Sequence, residues 1–351
     1  MEGAYYNGQY LNRLERLGYS QAEIDNKLES TFEEMFYGPE GVRLCHCAGP
    51  DMMYIEDTGN HDVRTEGMSY AMMFCVQMNR QKEFDCLWRW VVTHMYLTEG
   101  ENAGYFAWSC HTDGSKNSDG PAPDGEEFFA MSLFFAANRW GSGEGVLDYA
   151  SWARRILHAC VHKGEEAGSG FPMWNPENHL IKFIPNCEFT DPSYHLPHFY
   201  ELFALWSDEC DRPFWHAAAA ASRQYLRKAC HARTGLSAEY AEYDGRPHRG
   251  DQPDRHDWFF SDAYRTLGNI ALDAQWFGDK DGWAQETAAH IQQFFEEKEH
   301  GQTNGIYLID GTPVEGNALH PVGLLATIAQ GSLILDDACA DEWLRRFFST
   351  P

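Results

Sequence analysis

The sequence is short of basic residues. It contains 27 lysines and arginines against 53 aspartates and glutamates, which gives a formal net charge of -26 at pH 7. A surface with this excess of negative charge repels the phosphates of nucleic acids and of anionic lipids, so we expect neither nucleic acid nor membrane as a partner. The same charge keeps a protein in solution, and it leaves neutral and cationic ligands open.

Long apolar segments are also missing. No segment reaches the roughly 18 consecutive apolar residues of a membrane-spanning helix. The first twenty residues have neither the basic start nor the apolar stretch of a secretory signal. The ten cysteines are scattered, and the close pair Cys45 and Cys47 lacks the spacing of a zinc site. We therefore expect a cytoplasmic protein with reduced thiols and with no bound metal or cofactor.

What the sequence does contain is a series of helical segments. Apolar residues recur with the period of a helix, and little of the chain alternates as strands do. Ser20, followed three residues later by Glu23, predicts a helix start. No linker or low-complexity stretch interrupts the series, so we expect one domain over residues 1–351. The other predicted helices cover residues 67–95 (as two helices), 125–140, 147–163, 192–207, 213–232, 262–277, 283–299, 318–335 and 342–348.

The predicted helices are of two kinds, which alternate along the chain. Segments such as GMSYAMMFCVQM and EEFFAMSLFFAANRW are apolar nearly all round, whereas LDYASWARRILHACVHK and GWAQETAAHIQQFFEEKE carry a charged face. Helices of the first kind belong in the interior, and those of the second kind cover them. The alternation favours an all-α fold, an (α/α)6 barrel of alternating inner and outer helices. The alternative is an irregular helical globule.

Four of the apolar helices begin at or beside an acidic residue. These residues are Glu66, Asp124, Asp191 and Asp262. The inner helices of such a barrel run parallel to one another, so their N-termini meet at one end. We therefore expect four carboxylates around a single cleft.

Acids at helix starts also act as caps, and this reading competes with a functional one. Asp124 with Glu127 three residues later predicts a capping box. Asp191 before Pro192 predicts a capped start with proline at the first helical position.

Glu66 and Asp262 fit the capping role less well. Thr65 and Ser261, directly before them, are the better caps by residue type. A carboxyl at the mouth of an apolar helix has its pKa raised by desolvation, or lowered by a cation such as Arg265. One protonated acid and one ionised base are the pair that cleavage of a glycosidic bond requires.

Sugar-binding sites also need aromatic surfaces on which the rings stack. The segment AGYFAWSCHTDG places Trp108 in a loop of small and polar residues, and DRHDWFFSD places three aromatics before Asp262. Most of these rings are expected to anchor the core. Trp108 is the one that we predict to contact a ligand.

Three segments resemble the signature blocks of glycoside hydrolase family 8: DVRTEGMSYAMMFCVQMNRQKEFDCLWRW, DGPAPDGEEFFAMSLFFAANRWG and FFSDAYRTLGNIALDAQWF. The resemblance extends from about residue 37 to residue 335. It implies an (α/α)6 barrel that cleaves β-1,4 glycans with inversion, by two carboxylates and without a metal. It also implies Glu66 as the general acid and Asp262 as the general base.

The resemblance assigns substrate contacts as well. Asp124 matches a residue that binds and distorts the sugar at the point of cleavage, and Trp108, Tyr194 and Arg265 match further contacts. Asp191 is then expected to be structural.

Two features favour the family members that release xylose from the reducing end of xylo-oligosaccharides. The missing export signal argues against a polymer as the substrate. The segment with Leu319, His320 and Pro321 resembles the loop that closes the leaving-group side of the cleft in those enzymes, where the histidine contacts the terminal xylose. The alternatives are an endo-acting xylanase or chitosanase, a non-catalytic oligosaccharide-binding protein, and a sugar epimerase with histidine bases. The oligomeric state is left open.

Overall fold

The computed structural model describes residues 1–165, 169–250 and 255–351. This part of the chain is mostly helical, as expected. Its α-helices are α1 (Ala4–Asn7), α2 (Arg13–Arg16), α3 (Gln21–Tyr37), α4 (Thr65–Gln77), α5 (Gln81–Trp90), α6 (Pro123–Trp140), α7 (Tyr149–His162), α8 (Pro197–Trp206), α9 (Arg212–Ala229), α10 (Arg265–Phe277), α11 (Trp283–Glu299), α12 (Pro321–Gln330) and α13 (Ala338–Ser349).

The long helices form two layers that follow the alternation in the sequence. Helices α4, α6, α8, α10 and α12 contact one another in that order around the interior. Helices α5, α7, α9, α11 and α13 each bury an apolar stripe and expose a charged face. This arrangement is the expected barrel of inner and outer helices. No helix in the described ranges is long and apolar enough to cross a bilayer.

The strands in the described ranges are short and form three antiparallel pairs. One pair, Val63–Arg64 with Ser109–Cys110, lies directly before α4. The pairing continues where the Thr65 amide donates to the Trp108 carbonyl over 3.0 Å, so it joins the start of α4 to the loop that carries Trp108. The other pairs are Cys45–Cys47 with Met53–Ile55 and Ile306–Tyr307 with Pro313–Val314.

Two predicted inner helices are interrupted near their starts. The helix expected over residues 192–207 is a 3-10 turn, Pro192–Tyr194, followed by α8 from Pro197. A proline disfavours helical backbone in the residue before it, and Leu196 accordingly has φ -118° and ψ 64°. The helix expected from residue 318 begins at Pro321 for the same reason, with His320 at φ -130°.

The helix caps were predicted with mixed success. Ser20 and Glu23 form the expected capping box at the start of α3. The capping box expected for Asp124 and Glu127 is wrong. Pro123 takes the first position of α6, so Asp124 lies inside the helix, and the cap residue before it makes no side-chain cap bond.

Thr65 and Ser261 are not caps either. Thr65 is the first helical residue of α4, after Arg64 in the cap position. Ser261 opens a 3-10 turn, Ser261–Tyr264, with a left-handed φ of 44°. Glu66 and Asp262 therefore do not stand beside residues that already cap the helices. Capping does not explain their positions.

Helices α4 and α6 approach each other closely at Gly125. A Cβ atom at this position would lie 2.4 Å from Cβ of Thr65 and 2.7 Å from its Oγ1. Both distances are far inside van der Waals contact, and Thr65 directly precedes Glu66. The absence of a side chain at residue 125 therefore sets the position of the acid at the start of α4.

Gly125→Ala is expected to lower the free energy of unfolding by about 1–3 kcal/mol, the usual cost of overpacking, as measured by denaturant unfolding. Gly120→Ala is the matched control, because the nearest atom to its added Cβ would be Ser118 Oγ at 3.5 Å. Equal unfolding midpoints for the two variants would contradict this account of the helix contact.

Candidate active site

A cleft of about 790 Å³ opens at the end of the barrel where the inner helices begin. This volume lies within the range of small-molecule binding sites. Four of the predicted site residues line the cleft: Glu66, Asp262, Arg265 and His320. Leu319 lines it as well, beside His320, so the loop before α12 forms part of the wall, and closure of the leaving-group side by this loop stays a prediction.

Glu66 lies in the first turn of α4 and does not cap the helix. The residue is half-buried, and its Oε2 atom is closed to solvent and has no hydrogen-bond partner in the described ranges. Burial raises the pKa of the Glu66 carboxyl to about 8, and the negative charges of Asp124 and Asp262 add to this shift, while Arg265 opposes it. At neutral pH the group is therefore a protonated acid that faces the cleft.

Arg265, the first residue of α10, holds the acids of the site together. Its Nη1 donates to Asp124 Oδ2 over 2.9 Å and to the hydroxyl of Tyr70 over 2.7 Å. Its Nη2 lies 3.2 Å from Asp262 Oδ1. The guanidinium carbon also lies 5.5 Å from the centre of the Tyr194 ring, within range of a cation–π contact.

Asp262 differs from Glu66 in its exposure. Its side chain is 36% exposed, and its ion pair with Arg265 spans one turn of the chain. The 3-10 turn Ser261–Tyr264 carries this carboxylate into the cleft ahead of α10. It is open to water and lies beside a cation, which is a suitable position for an ionised base.

Asp124 and Tyr194 lie beneath the cleft and do not form its wall. Asp124 is 2% exposed and Tyr194 is 3% exposed. Asp124 Oδ1 accepts from the Gly125 amide over 3.0 Å. Burial raises the pKa of Asp124, and Arg265 opposes the shift. Both side chains contact Arg265 from below, and their contact with substrate stays a prediction.

Trp108 lies at the edge of the site. The ring is half-buried, and the guanidinium carbon of Arg64 lies 5.1 Å from its centre. Arg64 itself lines the cleft. The structure therefore places Trp108 behind a cleft residue, and direct contact with a ligand stays a prediction.

Asp191 caps its turn, as the sequence predicted. Its Oδ1 accepts from the Ser193 amide over 2.7 Å, and the residue is fully buried. Burial raises its pKa well above the usual range, with a further contribution from the charge of Asp262. The fourth acid thus belongs to the same end of the barrel, and its visible role is structural.

Sequence reasoning missed one residue of the cleft and one buried acid near it. Tyr70 lines the cleft and accepts the bond from Arg265. It follows Glu66 by four residues, so the helical period could have placed both on one face. Glu239 is buried in a segment without periodicity, and burial together with the charge of Asp262 raises its pKa to about 8. Nothing in its local sequence marks it.

The chain has relatives of known activity across its whole length. The profile of glycosyl hydrolases family 8 matches residues 19–334. The chain is 53% identical over 352 residues to a reducing end xylose-releasing exo-oligoxylanase from Halalkalibacterium halodurans. The alignment covers 100% of this chain and 89% of the relative. It is 54% identical to the reducing-end xylose-releasing exo-oligoxylanase Rex8A of Paenibacillus barcinonensis, over 100% of this chain and 91% of the relative.

Solved structures agree with this similarity. The structure of Rex8A from Paenibacillus barcinonensis complexed with xylose superposes with a TM-score of 0.96 at 54% identity, covering 100% of this chain and 92% of that chain. Endoglucanase 2 of Ruminiclostridium josui is more distant, at 25% identity over 92% of this chain and 65% of the relative. The chain belongs to glycoside hydrolase family 8, and it is a glycoside hydrolase with an (α/α)6 barrel fold.

Proposed function

We propose that this enzyme hydrolyses β-1,4-xylo-oligosaccharides with inversion and releases xylose from the reducing end. The observation that carries the proposal is that Leu319 and His320 line the same cleft as Glu66 and Asp262. A wall beside the acid pair limits how much of the chain extends past the cleaved bond. Relatives that are 53–54% identical carry the name of this activity.

Glu66 is the proposed proton donor to the glycosidic oxygen. Its raised pKa, about 8, keeps it protonated at neutral pH, as a general acid requires. Asp262 is the proposed general base, which removes a proton from a water on the opposite face of the sugar. Inversion requires the two carboxyl groups to stand roughly 6.5–9.5 Å apart, so that this water fits between the base and the sugar.

Arg265 is proposed to orient the Asp262 carboxylate through the contact at 3.2 Å. Asp124, Tyr70 and Tyr194 hold the guanidinium in place, so their proposed role is to position it beneath the sugar at the point of cleavage. His320 is proposed to contact the xylose that leaves, and Trp108 to support substrate through Arg64.

The proposal extends to the location of the enzyme and to its domain organisation. The ten cysteines are all free thiols, which suits a cytoplasmic enzyme, and we propose that residues 1–351 act as one catalytic domain. An endo-acting enzyme is the second candidate, supported only by the 25% identity to endoglucanases. A binding protein would leave xylo-oligosaccharides intact, and an epimerase would not use the acid pair.

Glu66→Ala and Asp262→Ala are each expected to lower kcat on xylotriose by several orders of magnitude, because each removes one partner of the acid–base pair. Steady-state kinetics with reducing-sugar detection measures the loss. Glu286→Gln is the matched control, because Glu286 is also an acid in the first turn of a helix but is exposed on α11. Near-normal turnover in either alanine variant would remove that residue from its role.

The pH profile tests the state of Glu66. Only the protonated form donates, so kcat/KM is expected to be level near neutral pH and to fall above about pH 8, the pKa of Glu66. The Asp124→Asn variant loses a charge that raises this pKa, so its alkaline limb is expected to move to lower pH. The position of the limb is independent of any overall loss in rate, and Glu286→Gln serves as the control. An unmoved limb, or one moved to higher pH, would count against the assignment.

Xylotriose labelled at the reducing end tests the direction of cleavage. Labelled xylose with unlabelled xylobiose is the expected product pair, and labelled xylobiose from the unaltered enzyme would exclude the proposed wall. In the Leu319→Ala/His320→Ala variant the wall is removed, so labelled xylobiose is expected to appear from longer oligomers. Val322→Ala is the control, because Val322 lies in the first turn of α12, directly after this loop, is 61% exposed and lines a groove away from the cleft.

A further inference from the structure

One cluster of side chains outside the cleft has the composition of a metal site. Among the described residues, His158, His162 and Asp211 each offer a ligand atom, and these atoms all lie within 4.8 Å of one another. The histidines belong to the outer helix α7, and Asp211 is the residue before α9. None of the three lines the cleft, so the cluster is separate from the glycosidase site.

The two histidines are spaced to share one ion. They are four residues apart on α7 and therefore lie on the same face of the helix, one turn apart. Their ring centroids are 4.4 Å apart. Two histidines at this spacing on a helix are a recurrent way of holding zinc.

Asp211 supplies the third donor from a different element. Its side chain is only 3% exposed, so the carboxylate is fixed and largely dehydrated. Its Oδ1 lies 2.7 Å from His162 Nε2, and its Oδ2 lies 3.7 Å from His158 Nδ1. The carboxylate therefore has one oxygen near each imidazole.

Glu165 completes the arrangement from outside. Its Oε1 lies 2.6 Å from His162 Nδ1, on the ring nitrogen opposite the one that faces Asp211. A carboxylate at this position accepts a hydrogen bond from Nδ1–H. This fixes the tautomer in which the Nε2 lone pair is available to a metal. Carboxylate–histidine–metal sets of this kind are common in zinc proteins.

We propose that His158, His162 and Asp211 bind one Zn²⁺ ion, with water in the remaining position and Glu165 orienting His162. Two imidazoles and a carboxylate suit zinc among the common divalent ions. Ligand atoms around a tetrahedral ion with bonds of about 2.0–2.1 Å stand roughly 3.3 Å apart. Binding therefore lengthens the 2.7 Å contact between His162 Nε2 and Asp211 Oδ1 and brings in the His158 ring, whose side chain is 57% exposed.

The ion has a structural role in this proposal. It links the end of α7 to the start of α9, where the contacts of His158 and His162 with Asp211 already join the two outer helices. Because a metal that binds the folded chain stabilises it, zinc is expected to raise the melting temperature. The sequence did not predict this metal site, and the site does not use Cys45 or Cys47.

Titration of the untagged, metal-stripped, full-length enzyme with ZnCl₂ by isothermal calorimetry tests the proposal. One equivalent of saturable binding and a higher melting temperature are expected. His158→Ala and His162→Ala should each weaken binding at least tenfold, and Glu165→Gln about tenfold, the effect of losing an outer partner. His216→Ala is the matched control, because its imidazole is 64% exposed and lies 3.4 Å from a Glu201 oxygen, with no third ligand group beside them among the described residues.

Thiols are the main competing source of zinc affinity, and Cys210 lies closest, with Sγ 3.4 Å from Asp211 Oδ1. Cys210→Ser is expected to keep the one-to-one binding. The proposal is overturned if the unaltered enzyme shows no saturable binding, if the histidine variants bind as tightly as the unaltered enzyme, or if Cys210→Ser abolishes binding while the histidine variants retain it.

Discussion

The site depends on one guanidinium among several acids. Arg265 contacts Asp124 and Asp262 directly, at 2.9 Å and 3.2 Å, and its charge opposes the rise in the pKa of Glu66. Carboxylates gathered in a poorly solvated space would otherwise repel one another and take up protons. Arg265 contacts two of these acids, Asp124 and Asp262, whereas the third, Glu66, has a pKa of about 8. This division matches the needs of a reaction that uses one acid and one base.

The fold creates this concentration of charge by geometry. Parallel inner helices bring their first turns to one end of the barrel, so acids that are far apart in the chain meet there. The closeness of α4 and α6, set by Gly125 against Thr65, keeps Glu66 near Asp124. Burial then separates the environments, because Asp262 keeps 36% of its side chain exposed whereas the Glu66 Oε2 atom is closed to solvent. The carboxyl groups of Glu66 and Asp262 therefore have different environments, because they lie at different depths in the same cleft.

Much of this was predictable from sequence, because periodicity and helix starts are local. The alternation of apolar and amphipathic segments predicted the barrel, and of the four acids expected around one cleft, Glu66 and Asp262 line it. The breaks at Pro197 and Pro321 shifted two helix starts, because backbone restriction by proline acts against the apolar period. The depth of Asp124 and Tyr194 and the part played by Glu239 depend on contacts between distant segments, which local patterns do not contain. The His158 and His162 pair is visible in the sequence as a spacing, but Asp211 joins it only because the folded chain brings the residue before α9 to the end of α7.

The central claim is that Glu66 and Asp262 act on opposite faces of one sugar, with a water between the base and the anomeric carbon. The stereochemistry of the first product tests it most directly. Proton NMR during the early hydrolysis of xylotriose resolves the new reducing end on xylobiose before mutarotation mixes the anomers. The account predicts that the α-anomer appears first, because inversion of a β linkage yields it. A β-anomer at the earliest times would contradict the account, since it would mean that a carboxylate attacks the sugar directly.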